Sequence, residues 1–228
     1  IFLTQWDEPT GTFNYIVPTD IDLNVMEGYG VWADSAYTGT TTVAYEGIPN
    51  TGEITSNSLT SLGPNGSEDG TRGFNFVGNP YPSAVDWDNP AGWIKSDLAN
   101  AIYIWNPTKK QYGSYVNGTS VNEVTNIIPA GQGFYVHVFV DNTIGSLTVN
   151  NEARLHDPKP FFKQSESVND LLKLGITSEI NPYSDEMVIR FNSEATASFD
   201  PQLDALELAG VDEAPSLYST SQDGKMLS

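Results

Sequence analysis

The most compact group of oxygen-bearing side chains in the sequence is Asp86, Asp88 and Asn89, which surround Trp87. Carboxylate and amide oxygens are the ligands that calcium prefers, and calcium tolerates irregular geometry. The spacing does not match an EF-hand loop, and Asn89 before Pro90 also fits the cap and first turn of a helix. The group is therefore a candidate calcium site, with helix capping as the alternative.

Three aromatic residues near this group could instead bind a sugar, namely Tyr81, Trp87 and Trp93. Flat rings stack on the apolar faces of pyranoses, while Asp, Asn and Gln side chains bind the hydroxyl groups. Anchoring of the core is the alternative, because large aromatic side chains are usually buried. Three further tryptophans lie within strand patterns and are expected in the core: Trp6, Trp32 and Trp105.

Residues for zinc or acyl-transfer chemistry are scarce in this chain. It has no cysteine and two histidines, His137 and His156, and it lacks the Gly-x-Ser-x-Gly pattern of a serine nucleophile. His137 lies in an alternating apolar stretch, on the face opposite Val136 and Val138. We expect it to be a strand residue with a satisfied hydrogen-bond partner.

Carboxylates are abundant, so their number alone does not exclude glycoside hydrolysis. Most of them lie in turn patterns, such as Asp7-Glu8, Glu68-Asp69 and Asp185-Glu186, where acidic side chains cap the turn and face solvent. We therefore predict no catalytic residue and expect that the chain is not an enzyme.

The charge balance excludes several partners. The 228 residues include 29 Asp and Glu against 10 Lys and Arg, which gives a formal net charge of −19. Nucleic acids and anionic membranes bind positive patches, so we expect neither as a partner. No apolar run reaches the roughly 20 residues that a membrane-spanning helix needs, and we expect no membrane insertion.

The segment from Gly73 to Trp87, with the sequence GFNFVGNPYPSAVDW, joins a short apolar strand pattern to a rigid turn. Pro80 and Pro82 bracket Tyr81, and each proline fixes its own φ and favours an extended residue before it. The chain must therefore turn here. An aromatic residue, Trp87, follows the turn.

This segment resembles the GNPYPSAIDW-like motif of Bacteroidetes surface proteins that the type IX secretion system exports. The tail is similar to the β-sandwich that precedes the sorting domain of such proteins, at Tyr183–Glu186, Phe199-Asp200 and Ala214–Tyr218. The resemblance implies an extracellular or surface-attached protein and the type IX secretion machinery as a partner. Asp34-Ser35-Ala36 is also similar to the short pattern for O-glycosylation in these bacteria, which implies a glycan on Ser35.

Two stretches of the chain align with each other, residues 6–30 and residues 105–133. Each has a tryptophan, a proline-containing turn and an aromatic residue at the same spacing, followed by a Gly-x-Gly turn and an apolar strand pattern. Each copy is typical of a β-hairpin with a third strand. The duplication indicates stacked or face-packed β units.

These patterns predict an all-β fold of tandem β-sandwich units, jelly-roll-like or immunoglobulin-like, with very little helix. A short helix from Asn89 toward Leu98 is the one expected exception. We predict the end of a first β unit at 1–60, a second unit at 61–157, a linker at 158–169 and the start of a further sandwich at 170–228. The absence of an initial Met and the brief last strand indicate a fragment of a longer polypeptide.

The sequence therefore predicts a non-catalytic stalk or adhesive region of a large secreted or cell-surface protein. One alternative is an accessory carbohydrate-binding region of a secreted enzyme that degrades extracellular polysaccharide. A second alternative is an export cargo that is bound to the secretion machinery.

Overall fold

The structure is a computed structural model that describes residues 2–17, 21–32, 46–63, 71–155 and 170–228. Within these ranges the chain forms β-strands and turns, and the helical segment is a single 3-10 turn at Asn151–Ala153. The expected all-β class with very little helix is confirmed. No helix in the described ranges has the length and apolar character to cross a membrane.

The described strands follow in chain order: β1 (Phe2–Asp7), β2 (Thr12–Tyr15), β3 (Tyr29–Trp32), β4 (Ile54–Thr55), β5 (Leu59–Thr60), β6 (Phe74–Gly78), β7 (Val85–Asp86), β8 (Trp93–Ser96), β9 (Leu98–Asn106), β10 (Gln111–Val116), β11 (Thr119–Ser120), β12 (Ile127–Ile128), β13 (Gly133–Val138), β14 (Ile144–Val149), β15 (Leu171–Thr177), β16 (Ser184–Arg190), β17 (Ser219–Thr220) and β18 (Met226–Leu227).

A five-stranded antiparallel sheet with the order β11-β10-β9-β13-β6 lies at the centre. Its strands alternate side chains between two hydrophobic clusters, because successive strand residues point to opposite faces. On β13, Val136 and Val138 belong to the first cluster and Tyr135 to the second. His137, which shares the face of Tyr135, contacts Phe74 of that second cluster, as the alternation predicted.

The first cluster fills the space between this sheet and a layer around β14. Strands β4, β5 and β8 each pair with β14, and the small β7-β12 sheet adds to the layer. Strands β4 and β5, which the sequence placed in the first unit, thus pair with a strand of the second.

The second cluster covers the opposite face of the central sheet. Trp6 and Phe13 from β1 and β2 pack there beside Phe74 and Tyr135, and Ala205 from the C-terminal segment is buried with them. Residues from all three predicted β units therefore share one hydrophobic cluster. The division into separate units stays a prediction, and residues 158–169 of the expected linker lie outside the described ranges.

The internal repeat is confirmed at the level of strand pairing. Strands β1 and β2 pair with Trp6 opposite Phe13, and β9 and β10 pair with Trp105 opposite Tyr112. A third strand then joins the first strand of each hairpin, β3 beside β1 and β13 beside β9.

The C-terminal region contains two hairpins. Strands β15 and β16 pair over their whole length, and β17 pairs with β18 across the turn at Asp223-Gly224. The turn that the sequence placed at Asp185-Glu186 is wrong in its position, because Ser184–Arg190 is strand β16 and the turn precedes it. Asp185 is therefore a buried strand residue that accepts hydrogen bonds from Asn122 Nδ2 and Leu217 N.

The predicted helix from Asn89 toward Leu98 is wrong. The side chain of Asn89 caps only a single turn, with its Oδ1 accepting from Ala91 N at 3.0 Å, and the chain then enters strand β8. Residues Trp93–Ser96 pair with β14 along their whole length. Pairing with β14 and burial of Trp93 thus outweigh the local helix signal.

Candidate functional site

The turn of the Gly73–Trp87 segment is held by its own side chains. Asn79 Nδ2 donates to the carbonyl oxygens of Ser83, Ile128 and Pro129 at 2.9, 3.1 and 2.9 Å, and its Oδ1 accepts from Tyr81 N at 3.0 Å. One amide side chain therefore closes the turn and ties it to the chain that follows β12.

Tyr81 is only 2% exposed, and its hydroxyl lies within hydrogen-bonding distance of the carbonyl oxygens of Gly52 and Val149. The guanidinium of Arg154 lies 5.2 Å from the ring centroid. Burial raises the pKa of the phenol and Arg154 opposes this effect. Tyr81 thus joins the turn to the β14 layer and has no free face.

Trp87 and Trp93 are also buried, at 2% and 7% exposure, and their ring centroids lie 4.8 Å apart. Trp87 Nε1 donates to Asn100 O and Trp93 Nε1 donates to Asp86 O, both at 2.8 Å. A sugar stacks on an exposed ring face, which these residues do not offer. In this structure they are core anchors, the alternative that the sequence left open.

Lys95 covers the ring of Trp87, with Nζ 3.6 Å from the ring centroid and 2.8 Å from Asn100 Oδ1. Burial lowers the pKa of this lysine to about 8, although the negative charge of Asp88 opposes the effect. One face of the Trp87 ring is therefore covered by the Lys95 side chain.

Each of the candidate calcium ligands uses one side-chain oxygen to accept from a protein donor. Asp86 Oδ1 accepts from Asp88 N at 3.0 Å and from Asn126 Nδ2 at 2.7 Å, and Asp88 Oδ2 accepts from the Tyr115 hydroxyl. Asn89 uses Oδ1 for its turn. Over the described ranges no three His, Cys, Asp or Glu side chains form a metal-binding group. Local turn capping and donors from two distant side chains account for these contacts without an ion.

The remaining candidates divide between the described and the undescribed parts of the chain. Ser35 and His156 lie outside the described residues. His137 is buried, and its Nδ1 has no hydrogen-bond partner among the described residues, although the ring hydrogen-bonds to the backbone of Arg72. The sequence predicted a histidine with a satisfied hydrogen-bond partner, and only one of the two ring nitrogens of His137 has one in the described part of the chain. Desolvation lowers its pKa to about 4.

Glu8 differs from the solvated turn residue that its position predicted. It is 4% exposed, and its carboxylate accepts hydrogen bonds at 2.8–3.1 Å from Thr60 Oγ1 and from the backbone N–H groups of Leu62, Gly63 and Gly73. The carboxylate therefore fixes the chain before and after residues 64–70. Its partners are intramolecular, so this acid is structural.

A cavity of about 490 Å³ lies on the second face of the central sheet. Aromatic side chains from the N-terminal hairpin and the sheet meet there a short C-terminal segment that carries one acid. The residues around the cavity are Trp6, Gly11, Thr71, Phe74, Tyr112, Tyr135, Glu207, Leu208, Ala209, Ser216 and Met226.

The aromatic walls of this cavity are built around Tyr135. The rings of Trp6 and Tyr112 lie 5.5 and 5.7 Å from it and are nearly perpendicular to it, at 87° and 84°. Trp6 is held by a hydrogen bond from Nε1 to Phe74 O, at 2.6 Å. Burial raises the pKa of both tyrosines, so their hydroxyls stay protonated.

Glu207 is the acidic residue of the cavity lining. Its Oε1 accepts from the Ser216 hydroxyl at 3.1 Å, and its backbone N–H donates to Met226 O at 2.9 Å. Desolvation raises the pKa of Glu207 to about 8, with a further contribution from Asp185, while Ser216 opposes the change. The sequence reasoning missed this residue. An acid between Leu206 and Leu208 was the signal that could have found it.

The chain belongs to the family that is described as Domain of unknown function (DUF8693), whose model matches residues 2–227. The match includes all three predicted β units. No curated protein and no solved structure matches the chain.

Proposed function

We propose that the chain is a non-catalytic β-sandwich region of a large secreted or cell-surface protein, exported by type IX secretion, and that it acts as a stalk or adhesive module. The observation that carries this proposal is the use of the Gly73–Trp87 segment as internal scaffold. Asn79, Tyr81 and Trp87 direct their polar atoms to the chain's own carbonyl groups. Such a turn gives rigidity, which is what a spacer needs.

The surface charge supports a role outside the cell. A net charge of −19 keeps such a module soluble and limits its association with nucleic acids and anionic lipids. The export route rests on the resemblance of the Gly73–Trp87 segment and of the tail to type IX cargo. The carbohydrate-binding alternative would need aromatic faces other than those of Tyr81, Trp87 and Trp93, which are buried.

The proposal is tested in a bacterium that produces the whole parent protein. Intact cells are treated with an external protease, and fragments from residues 71–155 are followed by mass spectrometry in the wild type and in a strain without the type IX outer-membrane channel. We expect these fragments from wild-type cells only, with the protein retained in the periplasm of the mutant strain. Equal release from both strains would show a different export route.

The non-catalytic role is tested on the parent protein at the cell surface. The parent is compared with a version in which residues 2–227 are replaced by an unrelated rigid β-sandwich spacer of similar length. If the region is a stalk, the version with the unrelated spacer should keep the adhesion or activity of the parent. If the region is an adhesive module, that version should still be exported but should lose adhesion. Loss of a catalytic activity on replacement would contradict the proposal.

A further inference from the structure

We propose that the aromatic cavity around Glu207 binds a methylated ammonium group. The cavity combines Trp6, Tyr112 and Tyr135 with one carboxyl group and the thioether of Met226. Its volume of about 490 Å³ falls in the range of roughly 300–1,000 Å³ that is typical of small-molecule sites. None of these residues belongs to the sites that the sequence singled out.

The aromatic walls favour a cation over a neutral ligand. A cation is attracted to the negative face of an aromatic ring, and tryptophan and tyrosine give the strongest interactions of this kind. Trp6 and Tyr112 stand almost perpendicular to Tyr135 and are only partly buried. Tyr135 itself is 4% exposed and stacks on Phe76, so the ring surface that a ligand can reach belongs to Trp6 and Tyr112.

Methylation of the nitrogen follows from the sparse hydrogen-bonding capacity of the walls. A primary ammonium carries three donors and is strongly hydrated, so it needs several acceptors when it leaves water. The described lining offers the Glu207 carboxyl and a few hydroxyls beside apolar surface from Phe74, Leu208 and Met226. A methylated ammonium has little need for such acceptors and contacts the rings through its methyl groups.

The charges around Glu207 also favour a cationic ligand. Glu207 is the only charged residue among the described residues that line the cavity, and the buried Asp185 adds negative potential behind it. Tyr103, Tyr112 and Tyr135 face this region from the sheet and stay neutral, because burial raises their pKa values.

Two lining residues have a cationic neighbour in sequence, and both cations interact with other groups. Lys225 precedes Met226, and its charge influences His137 and Asp223. Arg72 follows Thr71 and forms an ion pair with Asp141. A bound cation would therefore supply the positive charge that Glu207 lacks. Because burial raises the pKa of Glu207 to about 8, binding should strengthen as the pH rises through that value.

The test measures binding of choline to the whole chain by isothermal titration calorimetry, with 3,3-dimethylbutan-1-ol as its neutral isostere. We expect choline to bind with a Kd on the order of 1 mM, and the neutral isostere to bind at least tenfold more weakly. Between pH 7 and pH 9 the affinity for choline should rise about tenfold, since ionised Glu207 goes from about a tenth to about nine tenths of the molecules. Equal affinity for the two compounds would overturn the proposal, and so would no binding of choline at pH 9 up to roughly 50 mM.

Variants separate the cavity from general attraction by an acidic protein. Glu207→Gln keeps the volume and the contact with Ser216 but removes the charge, so it should abolish the pH dependence and weaken choline binding at pH 9 about tenfold or more. Glu213→Gln removes an exposed acid of the same region and should bind like the wild type. If the two variants lose affinity equally, the attraction is general and the proposal fails. Trp6→Phe, which keeps an aromatic ring, identifies the Trp6 indole N–H signal in NMR spectra, and choline should shift that signal.

The same group occurs free in small molecules and in the headgroups of phosphatidylcholine. A second arm therefore adds phosphatidylcholine vesicles and measures co-sedimentation of the wild type and of Glu207→Gln. Binding to vesicles that choline displaces, and that the variant lacks, would assign a lipid headgroup. Choline binding without co-sedimentation would assign a free ligand.

Discussion

The two copies of the internal repeat form the same hairpin in different surroundings. In the N-terminal copy Trp6 contacts Phe13 with ring centroids 5.1 Å apart at 67°, and in the central copy Trp105 contacts Tyr112 at 5.0 Å and 66°. The surroundings differ at the third strand. On β13 Tyr135 is 4% exposed, whereas Trp32 on β3 is 56% exposed.

The difference shows which property each part of the sequence determines. Pairing within a hairpin depends on local spacing and turn geometry, so both copies have it. Burial depends on what covers the sheet, and the central copy lies between two hydrophobic clusters. The expectation that Trp32 is a core residue is therefore wrong, because β3 has no described layer over that face and the indole only donates to Thr4 Oγ1, at 3.1 Å.

The two copies also meet at one side chain, Phe76 of β6. A Cβ atom on Gly28 would lie 2.5 Å from one atom of this ring, and a Cβ atom on Gly133 would lie 2.5 Å from another. The structure therefore equates Gly28 with Gly133, although the sequence aligned Gly30 with Gly133. Close packing of both copies against one phenylalanine therefore requires glycine at these two positions, one in each copy.

The largest expected effect compares two tryptophans, one from each kind of surroundings. Trp87→Ala should reduce the free energy of unfolding by about 3–5 kcal/mol, because it removes a buried ring and a hydrogen bond to Asn100. Trp32→Ala should cost about 1 kcal/mol or less, since its ring is mostly exposed. Urea unfolding followed by circular dichroism measures both changes.

This pair also distinguishes the core function of Trp87 from binding of sugar. A Trp87→Ala protein with unchanged stability would contradict the structure and would restore the sugar-platform hypothesis. A glycan-binding assay on that folded variant would then be informative.

The next comparison uses matched positions three residues before the tryptophan of each hairpin. Ile102 on β9 is fully buried, whereas Leu3 on β1 is only partly buried. We expect Ile102→Ala to cost about 2–5 kcal/mol and Leu3→Ala about 1–2 kcal/mol in free energy of unfolding. Equal losses in urea unfolding would mean that the N-terminal hairpin is as deeply packed as the central one.

Sequence patterns were sufficient where the structure is local. The alternation on β13 and the two hairpins of the repeat depend on residues close in the chain. The helix expected from Asn89 failed because pairing with β14, a strand distant in the sequence, determined that stretch. Local propensity does not contain such long-range terms.

The candidate site was less predictable for the same reason. A tryptophan has the same residue type whether it is a platform or a core anchor, so only the covering Lys95 and the carbonyl partners decide for Trp87. The Glu207 cavity combines β1, the central sheet and the C-terminal segment, which are distant in the sequence. The acids at residues 7–8 and 185–186 looked alike, yet Glu8 and Asp185 are buried.

The turn of each repeat hairpin is anchored by a different polar side chain. Substitutions at these turns should change stability less than those in the core. After Trp6 the anchor is Glu8, and after Trp105 it is Asn106, whose Oδ1 accepts from Thr108 N and Lys109 N. Glu8→Gln should cost about 2–3 kcal/mol, because it weakens charge-assisted bonds and turns an amide donor toward backbone donors. Asp7→Asn, at the partly buried neighbour, should cost less than about 1 kcal/mol. Thermal unfolding at pH 7 compares them, and similar losses would show that Glu8 has no special function.

The smallest expected effect is a pH dependence that belongs to the central copy. Folding lowers the pKa of His137 from 6.5 to about 4, because desolvation disfavours its charged form. Stability is complete above the unfolded pKa and is lost as the pH falls from about 6.5 toward 4, since the unfolded chain binds the proton first. Between pH 7.5 and pH 5.5 the loss should be about 1.4 kcal/mol.

Urea unfolding over this pH range measures the slope in a His156→Gln background, so that His137 is the only histidine that titrates. The free energy of unfolding should differ between pH 7.5 and pH 5.5 by about 1.4 kcal/mol less once His137→Gln is added. The remaining slope then reports the carboxylates. NMR titration of the His137 ring checks the cause directly. A folded-state pKa near 6.5 would mean that the buried ring on β13 is open to solvent, and the burial that distinguishes the central copy from the N-terminal one would then be weaker at this strand.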